Sequence, residues 1–269
     1  MERLTTLRLI KRLYITRYIP SSATMADNKP TLHHLENSQS HITLWLLEEL
    51  GIEYNLVKHP RIKNRSPPEL FAVHPLGKSP TLVTPSGRVL TERSAIALWL
   101  ISTYEQGKKF RSPTAAKKAD GSISEDDAVR EEQLISFSGS TLAPMLTLKL
   151  VFNLLVKQTP FPLRGLPWLI KFFVDRVFLD AELSKQFAFL DSQLAPEDAK
   201  GEERKWFLGT EEPTRADFSV MWYVDWAAQW KWIDLAKFPR LQKFHERCVA
   251  RPAWKSALEK GNGYNLVFW

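Results

Sequence analysis

Residues 31–51 read TLHHLENSQSHITLWLLEELG, and this stretch decides the fold. Thr31 to Leu35 is a short strand-like run, and Glu36-Asn37-Ser38-Gln39 is a polar turn. Ser40 to Leu50 then carries Ile42, Trp45, Leu46 and Leu50 at three- and four-residue spacing, the period of an amphipathic helix. Gly51 closes that helix, and Ser38 or Ser40 is placed to cap its other end. Downstream, Glu53 to Lys58 alternates as a second strand, and Pro67 to Val73 is a short helix opened by Ser66 with prolines in its first turn. Thr81 to Val83 and Arg88 to Leu90 flank the turn Pro85-Ser86-Gly87 as antiparallel strands, and Glu92 to Tyr104 is helical.

The order strand, helix, strand, helix, strand, strand, helix predicts a compact α/β unit of thioredoxin type over residues 28–108. Charges, Pro113 and Gly121 then mark residues 109–127 as a linker, and residues 128–265 read as an all-helical domain rich in Trp and Phe. Its helical segments are expected at 128–156, 166–194, 214–230 and 238–260. The fold class is therefore an α/β domain followed by an all-α domain.

Two modest domains suit 269 residues, and 44% hydrophobic with 25% charged residues exclude wholesale disorder. The single cysteine, Cys248, excludes an intramolecular disulfide, points to a reducing compartment and reads as a packing residue. The net charge of +7 is uneven: Arg3, Arg8, Lys11, Arg12 and Arg17 against Glu2 put +4 on residues 1–24. The body holds only +3, which argues against a nucleic-acid partner. The first 24 residues have the pattern of an amphipathic transit peptide, with a functional start at Met25 as the alternative. The expected location is the cytoplasm, or mitochondria if that leader is used.

No uninterrupted apolar run reaches the roughly 18–20 residues of a spanning helix, so a soluble chain is expected. Met145 to Val156 and Leu163 to Leu179 are apolar; core packing is their expected role, with a co-substrate wall or a peripheral membrane contact as alternatives. The aromatic cluster Trp222, Tyr223, Trp226, Trp230 and Trp232 is expected in the core or an interface. Neighbouring His33 and His34 point to opposite faces of a strand and cannot share a metal, and no metal site is expected. Thr214 and Asp217 have the spacing of a capping box, a structural device.

Four blocks resemble the glutathione S-transferases, in the fungal and bacterial branch that includes a yeast membrane-associated member. They are Leu32 to His41 with Leu44 to Gly51, then His74-Pro75-Leu76-Gly77-Lys78-Ser79-Pro80, then Leu90-Thr91-Glu92-Arg93-Ser94-Ala95-Ile96, and Pro213-Thr214-Arg215-Ala216-Asp217-Phe218. The resemblance implies glutathione as co-substrate, no metal, a homodimer, and conjugation of the tripeptide to a hydrophobic electrophile in detoxification or secondary metabolism. Isomerisation, dehydration or peroxide reduction on the same scaffold, and a catalytically silent binding or regulatory member, are the alternatives.

The same resemblance assigns the site. Ser38, with Ser40 as competitor, is the thiol-activating hydroxyl. A cis bond between Ser79 and Pro80 lets the Ser79 backbone pair with the cysteinyl unit, in the manner of a strand joining a sheet edge. Lys78 attracts a glutathione carboxylate, and Glu92 receives the γ-glutamyl ammonium. The family usually has Ser after Glu92, where this chain has Arg93. Arg93 then supplies a charge-assisted contact to the γ-glutamyl carboxylate, with Ser94 as substitute.

Overall fold

The computed structural model describes residues 28–105, 110, 125–196, 201 and 203–268, with the side chains of 125–127 excepted. The leader at 1–24 and most of the 109–127 linker lie outside the described residues.

Four strands form one sheet in the order β2-β1-β3-β4: β1 Thr31–Leu35, β2 Asn55–His59, β3 Thr81–Val83 and β4 Val89–Leu90. β1 runs parallel to β2 and antiparallel to β3, and β3 pairs antiparallel with β4. A parallel neighbour needs a crossover, and helix α1, Ser40–Leu50, provides it. Helix α2 is Pro68–Val73 and α3 is Arg93–Tyr104. This is the thioredoxin-like arrangement the element order predicts. β2 begins two residues later than expected because the Asn55 amide is taken by the Pro30 carbonyl at 2.9 Å, which starts the parallel register at Thr31 and Asn55. Glu53 instead pairs with Lys29 at 3.1 Å.

α1 is buried continuously from Ser40 to Leu47, more than a one-sided helix would be. The reason is its position between the sheet and the second domain. Trp45 is fully buried, 4.5 Å from the Phe218 ring and 5.2 Å from that of Trp254, both in the helical domain. A buried tryptophan contributes on the order of 3–5 kcal/mol, so this residue ties the two domains into one core.

The helical domain comprises α4 Glu125–Ser136, α5 Ala143–Gln158, α6 Gly165–Val174, α7 Asp180–Gln193, α8 Arg215–Gln229, α9 Pro239–Ala250 and α10 Pro252–Lys260. Two of the expected continuous helices contain π-helical turns, at Phe137–Leu142 and Asp175–Leu179. In the first, the Ser138 and Ser140 hydroxyls donate to the carbonyls of Ile135 at 2.8 Å and Ser136 at 2.5 Å, competing with the backbone ladder. The helix expected over 238–260 is broken in two: Pro252 forces Arg251 out of the helical region to ψ 138°. The capping box at Thr214 is present, and the buried Asp217 also accepts from the Phe207 amide at 2.9 Å.

One reading is corrected. Between residues 161 and 178 the apolar side chains are not core: α6 has no buried residue at all. Among the described residues, the helical stretch Ala128–Gln158 is long and apolar enough to cross a membrane by length and composition. It is nonetheless a working part of the domain, because α5 packs on α8 and holds a buried lysine, Lys149, against Asp175 and Asp180.

Candidate active site

β1 ends at Leu35 and α1 starts at Ser40, so the turn between them lies where the helix directs its N-terminal amides. A cavity of about 430 Å³ opens at this turn, between the two domains. One half is polar: Asn37, Ser38, Gln39, Arg61, Ser66, Lys78 and Ser79 line it. The other half comes mainly from the helical domain: Ala143, Thr147 and Leu150 of α5, Trp222, Tyr223 and Trp226 of α8, and Leu266 and Phe268.

The structure distinguishes the two candidate serines. Ser38 reaches the cavity; its hydroxyl donates to the Leu35 carbonyl at 2.7 Å and accepts from the Ser40 amide at 3.2 Å. That second bond satisfies one of the free amides at the start of α1, whose N-cap position is Gln39. Ser40 is fully buried and bonded to Nδ1 of His34 at 3.1 Å. Burial holds the His34 imidazole down at about 4, outweighing the bond from Ser40, so at neutral pH it is an uncharged partner. His33 lies on the other side of the strand against His59, 3.0 Å between ring nitrogens, as the alternation of a strand requires. Among the described residues no group of histidine, cysteine or acidic side chains has a metal-binding arrangement.

Ser79 sits on the other flank of β1. Its hydroxyl accepts from the Leu35 amide at 3.0 Å and donates to the His33 carbonyl at 3.0 Å, which fixes the β1–β3 edge at the cavity. The Ser79–Pro80 peptide bond is cis. Lys78 lines the cavity next to it.

Glu92 and Arg93 are not among the lining residues. Glu92 stands at the N-terminus of α3 with φ 65° and ψ 116°, a conformation that a side-chain-bearing residue rarely adopts and that costs about 1–3 kcal/mol. Arg93 is turned toward α8, with its guanidinium 5.1 Å over the Tyr223 ring and a long 3.5 Å contact to the Phe218 carbonyl. Burial opposes its charge, and the tyrosines partly compensate. Arg93, expected from the resemblance to reach toward a ligand carboxylate, here bridges the two domains.

Trp222, Tyr223 and Trp226 match the expected core or interface placement: Tyr223 is buried in the core, Trp222 and Trp226 pack against it, and all three also line the cavity, a role that only the one-turn spacing of Trp222 and Trp226 on α8 hinted at. Arg61 was missed entirely. It donates to the carbonyls of Glu36 at 3.1 Å and Asn37 at 3.1 Å, and its guanidinium lies 4.6 Å over the Phe268 ring. The C-terminal segment completes the wall. The Asn37 amide donates to the Gly263 carbonyl at 3.0 Å, the Asn265 amide to Asn37 Oδ1 at 2.7 Å, and the Trp230 indole to the Leu266 carbonyl at 2.7 Å.

A thioredoxin-like domain, a helical domain and a half-polar, half-aromatic cleft between them define the architecture. The chain belongs to the glutathione S-transferase superfamily. The family models for the glutathione S-transferase N-terminal domain and C-terminal domain match residues 38–103 and 173–261, together more than half of the chain. Glutathione S-transferase 3 of Schizosaccharomyces pombe is 29% identical over 244 residues, covering 88% of this chain and 90% of that one. A solved glutathione S-transferase from Actinobacillus pleuropneumoniae is 25% identical with a TM-score of 0.65, covering 89% and 96%. A glutathione transferase homologue from Lodderomyces elongisporus, solved with two glutathione molecules per subunit, shares the fold at 19% identity and a TM-score of 0.64, covering 86% and 98%.

Proposed function

We propose that this chain binds glutathione in the polar half of the cleft and conjugates it, through its sulfur, to a hydrophobic electrophile held in the aromatic half. The observation that carries the reading is the juxtaposition of Ser38 and Ser79 with Trp222 and Trp226 around one cavity. Glutathione has two carboxylates and one ammonium, so the cationic Arg61 and Lys78 suit its net negative charge. Glu92, at the start of α3 and outside the cavity lining, is assigned to the ammonium on the family resemblance alone. The apolar wall suits a planar or aromatic co-substrate.

A free thiol titrates near 8.5, and lowering that by about two units requires roughly 2.7 kcal/mol in favour of the thiolate. Ser38 offers part of this, and the N-terminus of α1 offers more. The Ser38 proton must turn from the Leu35 carbonyl to the sulfur. A neutral hydrogen bond of about 0.5–1.5 kcal/mol is exchanged for a charge-assisted one of about 1.5–3 kcal/mol, so the exchange favours the thiolate. The thiol proton leaves to solvent, the sulfur forms a bond to carbon, and the carbon–leaving-group bond breaks with the electron pair on the leaving group. A homodimer in the family manner, and a role in detoxification or secondary metabolism, complete the reading.

The 2.7 Å bond from Ser38 to Leu35 also favours a second reading, a binding or regulatory protein in which that proton is never released. Titration calorimetry with glutathione, followed by a conjugation assay on an aryl halide, separates the two. Binding with turnover supports the transferase, binding without turnover on any electrophile supports the silent form, and no binding removes both.

A further inference from the structure

We infer that a single chloride ion binds at the junction of the two domains, in a small cavity between Arg93 of α3 and Arg215 of α8. Three helices meet there. Thr43 of α1, Arg93 and Ser94 of α3, and Arg215 and Ser219 of α8 line the cavity, and the rest of its lining is apolar. α3 begins at Arg93 and α8 at Arg215, so helices of 12 and 15 residues bring their positive ends to the same point. Among the described residues no acidic side chain lines this cavity. Thr43 is 2% exposed, and its Oγ1 has no hydrogen-bond partner. A buried hydroxyl in that state calls for an ion or a water to accept from it.

Charge selects the occupant. Arg215 is matched, by Glu131 at 3.1 Å and Glu132 at 3.3 Å. Arg93 is not: its guanidinium meets the Tyr223 ring and the Phe218 carbonyl, and among the described residues no carboxylate forms an ion pair with it. Burial opposes its charge, yet an arginine cannot shed its proton. One positive charge in the junction therefore needs one negative charge beside it. Size narrows the class further. A cavity of about 10 Å³ has room for one water-sized sphere. Chloride is only slightly larger than water, whereas sulfate, phosphate or a carboxylate does not fit. The hydroxyls of Thr43, Ser94 and Ser219 are the donors that replace part of the hydration shell of the ion. The inference concerns what joins the domains and does not depend on any catalytic role.

The test is the melting temperature of the full chain in mixtures of sodium chloride and sodium gluconate at constant ionic strength, gluconate being too large for the cavity. The wild type is expected to gain about 3–5 °C for each tenfold rise in chloride above its dissociation constant, and bromide is expected to act in the same way. Thr43→Val keeps the shape of the side chain and removes the hydroxyl, so it should need several times more chloride for the same gain. Arg93→Leu is expected to abolish the gain; where that chain does not fold, Thr43→Val carries the test. A crystal grown in sodium bromide is expected to show an anomalous peak between Arg93 and Arg215. A wild type indifferent to the exchange of chloride for gluconate overturns the inference, as does a gain that either variant leaves unchanged. So does a bromide crystal with only water at this place, or with a carboxylate of a second copy seated on Arg93.

Discussion

Ser38 donates its hydroxyl proton to the Leu35 carbonyl across 2.7 Å, while the amide of the same Leu35 donates to Ser79 across 3.0 Å. The last residue of β1 therefore couples the two serines that flank the proposed sulfur position. Ser38→Ala removes the donor without creating an apolar void of any size. Conjugation is expected to fall about tenfold with glutathione affinity changed less than threefold, a loss of about 1.4 kcal/mol that matches the exchange of the neutral bond for the charge-assisted one. The pH–rate profile is expected to move up toward the free-thiol value near 8.5. Measuring kcat and KM across pH checks both; an unchanged profile would remove Ser38 from the chemistry.

Arg93 bridges α3 to α8, so its replacement should be felt in stability and not in ligand affinity. Arg93→Leu is expected to lower the melting temperature by several degrees, about 2–4 °C per kcal/mol for a chain of this size, with the glutathione KM within twofold of wild type. A tenfold rise in KM at unchanged melting temperature would return Arg93 to the ligand site.

The junction of the domains is tied by Arg251, which holds Glu49 of α1 at 2.8 Å and Glu212 at 2.7 Å. The pairing with Glu49 raises the Arg251 guanidinium above its usual range, though partial exposure discounts its worth. Arg251→Ala leaves Glu49 buried with the Trp45 indole at 2.7 Å but without its cation, and is expected to cost about 2 kcal/mol. Thermal denaturation at low and high salt is the check, and the gap between wild type and variant should narrow with salt.

Acid should loosen the same junction. His41 is buried between Tyr264, 4.0 Å away, and Trp254 at 4.5 Å, and burial drives its imidazole from 6.5 to about 3. Between those values the unfolded chain carries a proton that the folded chain refuses, so stability rises with pH. The contribution is complete above about pH 6.5 and is lost as the pH falls toward 3, at about 1.4 kcal/mol per unit. His41→Phe keeps the ring and removes the proton site. Its melting temperature should depend less steeply on pH over this window, as read by calorimetry from pH 4 to 7.

Gly263 has φ 124°, a region unfavourable for any side chain, and an added Cβ would lie 3.2 Å from the Asn37 amide oxygen. Gly263→Ala is expected to displace Asn37 and raise the glutathione KM severalfold with the fold intact. A KM equal to that of wild type would mean the contact does not hold the turn.

The first domain was legible because its signals are local. The spacing of Ile42, Trp45 and Leu46 set α1, and Gly51 at φ 61° ended it where expected. Ser38, Lys78 and Ser79, assigned by resemblance, belong to short blocks on consecutive elements, and all three line the cavity. Arg61 and Phe268 escaped because they meet only in three dimensions, more than 200 residues apart in sequence. The hairpin at 161–178 was misjudged for a different reason: hydrophobicity along a chain does not say whether water or protein covers it. The packing of Arg93 on Tyr223 was also hidden, since Tyr223 lies on an element whose position the sequence did not fix.

The strap from Asn262 to Phe268 has a temporal consequence. Translation delivers Ser38 early, yet the peptide groups that steady its turn, at Gly263 and Asn265, are made more than 220 residues later. The nascent first domain can close its own sheet while still tethered to the ribosome, but its pocket stays unfinished until synthesis has passed residue 265. The cleft beside Ser38 is thus complete only once residues 263–268 have joined it.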